Sequence, residues 1–139
     1  MAENNLFIDT NVIIDLLADR LPFSNAAFEI FHKSNRSRWN LYTSSNSIIT
    51  SFYIIEKNVN SKLANKAIRT ILNRVTVQDL NKLDLLNALN SSTADLEDAA
   101  QIGCAKKIGK INFIVTRDRK GFERSQIEII SPDELVNTQ

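Results

Sequence analysis

A short apolar run near the N-terminus places the strongest constraint on the fold. Leu6, Phe7 and Ile8 follow one another without a polar residue between them, and the run ends at Asp9. A strand with one face in water would alternate apolar and polar residues. The continuous pattern therefore predicts a strand that is covered on both faces, as in a parallel sheet.

Strand-like and helix-like segments alternate along the rest of the chain. Further strands are predicted at 39–43, 74–77, 112–116 and 127–130. Helices are predicted from 12, from 22, at 47–57, 61–72, 80–89 and 94–108, and from 131 onward. This alternation is typical of α/β proteins and predicts a mostly parallel central sheet of four to five strands flanked by helices. A length of 139 residues with 43% hydrophobic side chains fits one domain over 1–139.

Composition argues against several other classes of protein. Three glycines and two prolines are too few for a collagen-like or loop-rich chain. No apolar stretch approaches the roughly 20 residues of a membrane-spanning helix, so no membrane partner is expected. The N-terminus has no basic patch, and the single cysteine, Cys104, allows no internal disulfide. We therefore expect a cytoplasmic protein. Its net charge of +1 does not by itself indicate a nucleic-acid binder.

Aspartates occur where two predicted strands end. Asp9 directly follows the first strand, and Asp118 comes two residues after the strand at 112–116. In open α/β sheets, binding sites form beyond the carboxyl ends of the strands. Asp95 and Asp98 lie three residues apart at the start of a predicted helix, so they share a face, and the helix dipole is expected to keep them ionised.

Acidic groups held close together repel one another unless a cation lies between them. Carboxylate oxygens suit Mg²⁺ or Mn²⁺, and such a cation supports hydrolysis of phosphodiesters. Each acid also has a structural explanation: Asp9 as a helix cap, Asp118 as a turn residue, and Asp95 with Asp98 as a cap and its third helical residue. Convergence of Asp9, Asp98 and Asp118 from three separate segments favours the metal site.

These segments resemble motifs of the PIN-domain family, the nuclease fold of toxins in bacterial toxin–antitoxin pairs. The similar stretches are Phe7-Ile8-Asp9-Thr10-Asn11 with its continuation to Leu17, Ala94 to Gln101, Ile114-Val115-Thr116-Arg117-Asp118 and Ile130 to Leu135. Asp15, Arg20, Pro22 and Phe23 resemble a segment of one subgroup. The resemblance implies a PIN-like three-layer sandwich that cleaves single-stranded RNA with a divalent metal and is inhibited by a small antitoxin.

The resemblance also assigns roles to individual residues. Asp9, Asp98 and Asp118 correspond to the catalytic metal-binding acids, with Asp95 in a supporting position. Three further side chains would orient these carboxylates by hydrogen bonds: Thr10, Asn11 and Thr116.

Three basic residues that flank Asp118 in the sequence are candidates for binding RNA phosphates: Arg117, Arg119 and Lys120. Asp15 pairs with Arg20 or approaches the rim of the site, and the sequence leaves both open.

The chain departs from the family pattern at one position. Many members carry a further acid in the helix at 47–57, whereas this chain has Thr50 and Ser51 there. One carboxylate fewer weakens metal affinity and puts a second metal ion in doubt. It also keeps open a second hypothesis, a catalytically silent domain that binds RNA or a partner protein. By resemblance we expect a homodimer.

Overall fold

A five-stranded parallel sheet forms the centre of the computed structural model, which describes residues 4–34 and 38–137. The strands are β1 (Asn4–Ile8), β2 (Trp39–Ser44), β3 (Thr76–Gln78), β4 (Phe113–Val115) and β5 (Glu128–Ile130). Their order across the sheet is β3-β2-β1-β4-β5, and every neighbouring pair is parallel. The α/β fold predicted from the sequence is confirmed. Residues 1–3, 35–37 and 138–139 of the expected domain lie outside the described residues.

Helices cover both faces of this sheet. They are α1 (Thr10–Leu17), α2 (Ser24–Lys33), α3 (Ser45–Asn58), α4 (Ser61–Leu72), α5 (Lys82–Leu89), α6 (Leu96–Ile108), α7 (Arg119–Phe122) and α8 (Pro132–Asn137), with a 3-10 turn at Glu123–Ser125. None of the helices formed by the described residues combines the length and the apolar character needed to traverse a lipid bilayer.

The apolar run in β1 packs on both sides of the sheet, as its pattern predicts. Leu6 and Ile8 join a core cluster with residues of α1 and α2, whereas Phe7 joins a second cluster with Ile102 of α6 and Phe122 of α7. All three β1 side chains are fully buried. Because successive strand residues point to opposite faces, one strand contributes to both cores and fixes a three-layer arrangement.

Most elements begin or end one or two residues away from the predicted positions, and three differences have a visible cause. Strand β3 begins at Thr76 rather than residue 74, because the Val75 amide donates to the Ile71 carbonyl and prolongs the end of α4. Helix α6 begins at Leu96 rather than residue 94, because Asp95 caps it. The short helix α7 was not predicted, and it forms where Asp118 accepts a hydrogen bond from the amide of Gly121.

Candidate metal centre and active site

The acidic residues lie at the point where the strand order of the sheet reverses. From β1 the chain adds β2 and then β3 on one side, and it returns to add β4 and β5 on the other. The ends of β1 and β4 therefore border the crevice in which open α/β sheets bind their ligands. Asp9 follows β1, and Asp118 follows β4 after two residues.

Asp9 is a buried carboxylate that is held by several donors. It is the N-cap of α1 and is only 6% exposed. Its Oδ1 accepts from the Thr10 amide at 2.8 Å and from the Gln101 amide group at 3.3 Å, and its Oδ2 accepts from the Thr116 hydroxyl at 2.8 Å. Burial raises the pKa of Asp9 even though these hydrogen bonds act in the opposite direction. The orientation of this carboxylate is therefore set by the fold before any ligand arrives.

A fully buried polar network supports Asp9 from the side of α3. The Gln101 side chain donates to Ser47 Oγ at 2.8 Å, and Ser47 Oγ shares a 2.7 Å hydrogen bond with Thr10 Oγ1. Ser44 Oγ donates to Gln101 Oε1. Ser44, Ser47 and Gln101 were not among the predicted site residues. A polar residue among alanines, three positions after Asp98 on the same helix face, was the available signal for Gln101.

Thr116 joins the two strand ends through a single hydroxyl. Its Oγ1 donates to Asp9 Oδ2 and accepts from the backbone amide of Asp118 at 3.0 Å. The Asn11 side chain reaches the same oxygen at 3.5 Å, which is a long contact. Of the three side chains predicted to orient the carboxylates, only Thr116 bonds one directly, since Thr10 reaches Asp9 through its backbone amide and Asn11 contacts the Thr116 hydroxyl.

Gly121 allows Asp98 and Asp118 to approach each other. A Cβ atom added to Gly121 would lie 2.5 Å from Asp98 Oδ2 and 2.5 Å from Asp118 Oδ2. The two oxygens are therefore separated by no more than twice that distance. Any side chain at this position would occupy the space that the two carboxylates now share. Gly121 was not among the predicted site residues, although it lies three residues after Asp118 in a chain that has only three glycines.

Asp98 is half-buried among like charges. No hydrogen bond within the described residues ends on its carboxylate, whereas Asp118 Oδ1 accepts from the Gly121 amide. Burial, followed by the charges of Asp95, Asp9, Asp118 and Glu97, raises the pKa of Asp98 to about 6. Burial and neighbouring carboxylates thus outweigh the helix dipole at Asp98, although a pKa of about 6 still leaves this carboxyl mostly ionised at neutral pH.

Asp95 and Glu97 flank this pair on α6. Asp95 is the N-cap of the helix, with Oδ1 accepting from the Asp98 amide at 2.9 Å. It therefore has the capping role that was one of its two alternatives, while its carboxylate also lines the cavity beside Asp98. Burial, then the charges of Asp9 and Asp95, raise the pKa of Glu97, which lines a different cavity next to α3.

An open cavity of about 360 Å³ lies over the acidic pair. Its wall includes the acids Asp95, Asp98 and Asp118 together with Lys120 and Arg124. Two of the predicted RNA-binding residues have protein partners instead. Arg117 forms an ion pair with Asp15, and Arg119 forms one with Glu134. The partner of Asp15, which the sequence left open, is thus chiefly Arg117, with Arg20 farther away at 3.9 Å.

The donor set suits a hard divalent cation. Within residues 4–34 and 38–137, no group of three or more acidic, histidine or cysteine side chains is arranged so that it could hold a metal ion. Mg²⁺, however, commonly uses one or two protein carboxylates and completes its coordination with water or substrate oxygens. Asp98 and Asp118 face a common space, and Asp98 has no donor to balance its charge. A cation held by these two, beside Asp9, would remove that imbalance.

Known proteins share both the sequence pattern and the fold. A model of the PIN domain family matches residues 5–120. Ribonuclease VapC1 of Aquifex aeolicus (strain VF5) is 27% identical over 140 residues, covering 97% of this chain and 95% of that protein. The structure of VapC20 from Mycobacterium tuberculosis, described as a sarcin–ricin loop cleaving toxin, superimposes with a TM-score of 0.70 at 15% identity. That match covers 88% of this chain and 95% of VapC20.

A second solved structure gives the same picture. DNA-bound VapBC from Salmonella typhimurium matches with a TM-score of 0.69 at 18% identity, over 93% of this chain and 98% of that one. At these identities the structural matches establish the fold. Together with the family match over most of the sequence, they lead to one conclusion: the chain belongs to the PIN-domain family.

Proposed function

We propose that this protein is an endoribonuclease that hydrolyses phosphodiester bonds of single-stranded RNA with a divalent metal ion. The observation that carries the proposal is the meeting of Asp98 and Asp118 around Gly121, beside the anchored Asp9. The Aquifex relative, which is named a ribonuclease and aligns over nearly the whole chain, supports the same reaction class.

Each part of the site has a separate task in this proposal. Asp9, Asp98 and Asp118 would hold the cation, Mg²⁺ or Mn²⁺, with Asp95 adding negative charge nearby. The bound cation supplies positive charge that stabilises the charge developing on the phosphate and makes water a better nucleophile. Thr116, Thr10 and Gln101 orient Asp9, so that less reorganisation is needed during the reaction.

Basic side chains on the cavity wall would receive the RNA backbone. Lys120 and Arg124 share the cavity with the acidic pair and can contact phosphates on either side of the cleaved bond. Arg119 is exposed at the same segment, although its guanidinium contacts Glu134. We expect substitution of Lys120 or Arg124 to weaken RNA binding and to make the remaining binding less sensitive to salt concentration. Metal affinity should change little.

The test is cleavage of a panel of single-stranded RNAs in the presence of Mn²⁺. Wild-type protein is compared with Asp9→Asn, Asp98→Asn and Asp118→Asn, which keep size but remove charge. Each should cleave at least about 100-fold more slowly, as expected when an electrostatic contribution to the transition state is lost. Asp79→Asn is the control, because Asp79 is 76% exposed on another part of the surface.

The alternative of a catalytically silent domain makes the opposite prediction. If no RNA is cleaved, or if wild-type protein and Asp9→Asn cleave equally, the nuclease proposal is overturned. The neutral network of Ser44, Ser47 and Gln101 is the observation that favours this alternative, because it lies beside α3, the helix in which many family members carry an additional acid.

We also propose an antitoxin as protein partner. A cavity of about 580 Å³ between α1, α2, α3 and α4 is lined mainly by apolar side chains, including Leu17, Phe31 and Ile55, with Lys66 and Arg74 also on its wall. Such a groove suits an apolar helix that carries acidic residues at its edges. Ala67→Arg would fill the groove, and it should abolish inhibition by an antitoxin encoded next to this gene without lowering RNA cleavage.

A homodimer in the cytoplasm completes the proposal. Ile49, Leu85 and Leu96 surround one cavity and are 57%, 46% and 47% exposed, respectively. Apolar side chains grouped in this way are typical of an interaction surface. Light scattering should give twice the monomer mass for wild-type protein and the monomer mass for Leu85→Lys. A monomeric wild type would contradict the dimer.

A further inference from the structure

An ion pair connects helix α1 to the segment that carries Asp118, and its arginine, Arg117, is 29% exposed. The Asp15 carboxylate on α1 is 1% exposed and receives two hydrogen bonds from Arg117, from Nε at 2.6 Å and from Nη2 at 3.0 Å. The Arg117 guanidinium also lies over the Phe23 ring, 3.8 Å from its centroid. Two parallel hydrogen bonds and a stacked ring hold the guanidinium in one orientation.

Arg117 lies between two residues of the acidic site. Thr116 before it donates to Asp9, which caps the N-terminus of α1, and Asp118 after it faces Asp98. The segment 116–118 is therefore attached to α1 at two points, once at Asp9 and once at Asp15. Two attachment points on one rigid helix fix both the position and the direction of the segment.

We propose that the Asp15–Arg117 pair is a positioning element that holds the Asp118 carboxylate beside Asp9 and Asp98. The inference rests on the proposed metal site. Without such an attachment, repulsion between Asp98 and Asp118 would displace the segment that carries Asp118, since these carboxylates share the space above Gly121. The pair supplies an opposing constraint whose energy comes from contacts outside the site.

This role differs from the two obvious alternatives for Arg117. As an RNA ligand, Arg117 would have to leave a buried carboxylate that it contacts through two nitrogens. As a stabiliser alone, the pair would gain little over apolar side chains of the same size, because desolvation of the buried Asp15 carboxylate offsets much of the attraction. Positioning explains why both the charge and the bidentate geometry occur at this place.

The test measures Mn²⁺ affinity in the absence of RNA, by electron paramagnetic resonance of the free ion. The variant Asp15→Leu/Arg117→Met replaces the pair by apolar side chains and leaves the net charge unchanged. We expect it to fold, with the circular dichroism of the wild type, and to bind Mn²⁺ about 10-fold to 100-fold more weakly. Wild-type affinity in the folded double variant would overturn the proposal.

The single variant Arg117→Lys tests the same idea without removing the charge. Lysine can make one of the two hydrogen bonds but cannot reproduce the planar fork. We expect an intermediate loss of Mn²⁺ affinity. Arg117→Met alone removes a positive charge near the site, so electrostatics by itself predicts tighter binding of the cation. Weaker binding by Arg117→Met supports positioning, and tighter binding contradicts it.

An ion pair within α2 provides the control. Lys33 Nζ lies 3.2 Å from Glu29 Oε2, and the two side chains are 35% and 40% exposed. The variant Glu29→Gln/Lys33→Gln leaves the net charge unchanged and should bind Mn²⁺ as the wild type does, because this pair does not connect α1 to the segment 116–118. An equal loss of affinity in both double variants would show a general effect of lost pairs and would overturn the specific role of Asp15 and Arg117.

One further variant separates this inference from the proposed function. Asp118→Asn must weaken Mn²⁺ binding if the metal site is correct. If it does not, the proposed function itself is wrong. If it does, while Asp15→Leu/Arg117→Met binds Mn²⁺ normally, only the positioning role is wrong.

Discussion

Asp9 and Asp98 belong to the same acidic site, but the protein holds them in opposite ways. Asp9 is almost fully buried and accepts hydrogen bonds from Thr10, Gln101 and Thr116. Asp98 is only half-buried, and its carboxylate receives no hydrogen bond from the described residues. Burial raises the pKa of both residues, but hydrogen bonds oppose the shift only at Asp9.

The difference indicates how the site is divided. Asp9 is a fixed reference point, because its donors set its orientation and keep it oriented in the absence of a ligand. Asp98 retains an unbalanced charge, and together with Asp118 it forms the part that a cation would complete. One half of the site is thus pre-organised, and the other half stores electrostatic repulsion that binding would relieve.

The largest effect is expected when the unsupported half is forced apart. In Gly121→Ala the new methyl group would lie 2.5 Å from the Oδ2 atoms of both Asp98 and Asp118, so these side chains must move away. Because the displaced atoms are side-chain ends, the fold should survive. We expect RNA cleavage to fall about 100-fold or more through lost charge placement, measured as kcat/KM.

Gly103→Ala is the matched control for that experiment. Gly103 lies in α6, and an added Cβ would have no neighbour within 4 Å. Alanine is the better helix former by about 0.5–1 kcal/mol, so this variant should be slightly more stable and fully active. Unchanged cleavage in Gly121→Ala would contradict the close approach of the two carboxylates.

A smaller effect is expected when the pre-organised half loses one donor. Thr116→Val keeps the shape of the side chain but removes the hydroxyl that bonds Asp9 and the Asp118 amide. The free energy of unfolding should fall by about 2 kcal/mol, because buried polar groups lose their partner. Cleavage should fall about 10-fold to 100-fold. Urea unfolding and kcat/KM measure the two effects, and Thr116→Ser should restore most of both.

The smallest expected effect is a gain in stability when the charge of Asp98 is removed. This gain would distinguish Asp98 from an ordinary surface acid. Its pKa is raised from 3.8 to about 6, so folding disfavours the charged form. The metal-free protein should therefore lose stability as pH rises from about 4 to about 6. Asp98→Asn removes this loss and should be more stable at pH 7 by about 1 kcal/mol, after allowance for solvent screening. Urea unfolding with a chelator at pH 4 and pH 7 measures it, and a less stable variant at pH 7 would contradict the account.

The fold could be predicted because its signals are local. The uninterrupted apolar run at Leu6-Phe7-Ile8 indicates a strand covered on both faces, and helical spacing between the strands indicates the covering helices. Chain order then places Asp9 and Asp118 at the same edge of the sheet. The ends of elements were less predictable. The start of α6, for example, depends on which residue caps the helix, and the cap is Asp95 rather than an earlier serine or threonine.

The parts of the site that could not be predicted depend on contacts between distant segments. Gln101 supports Asp9 across 92 positions, and Arg117 meets Asp15 across 102 positions. A basic residue beside a catalytic acid suggests contact with substrate, whereas the fold directs the Arg117 side chain towards α1. Periodicity along one element carries no information about such a partner on another element.

The central claim is that Asp9, Asp98 and Asp118 together hold a divalent cation. A crystal soaked in MnCl₂ and measured for anomalous scattering tests it most directly, because manganese can be located without assumptions about its ligands. We predict an anomalous peak between the carboxylates of Asp98 and Asp118, on the side that faces Asp9, and its loss in Asp118→Asn. A peak elsewhere, or none at a manganese concentration that supports RNA cleavage, would contradict the account.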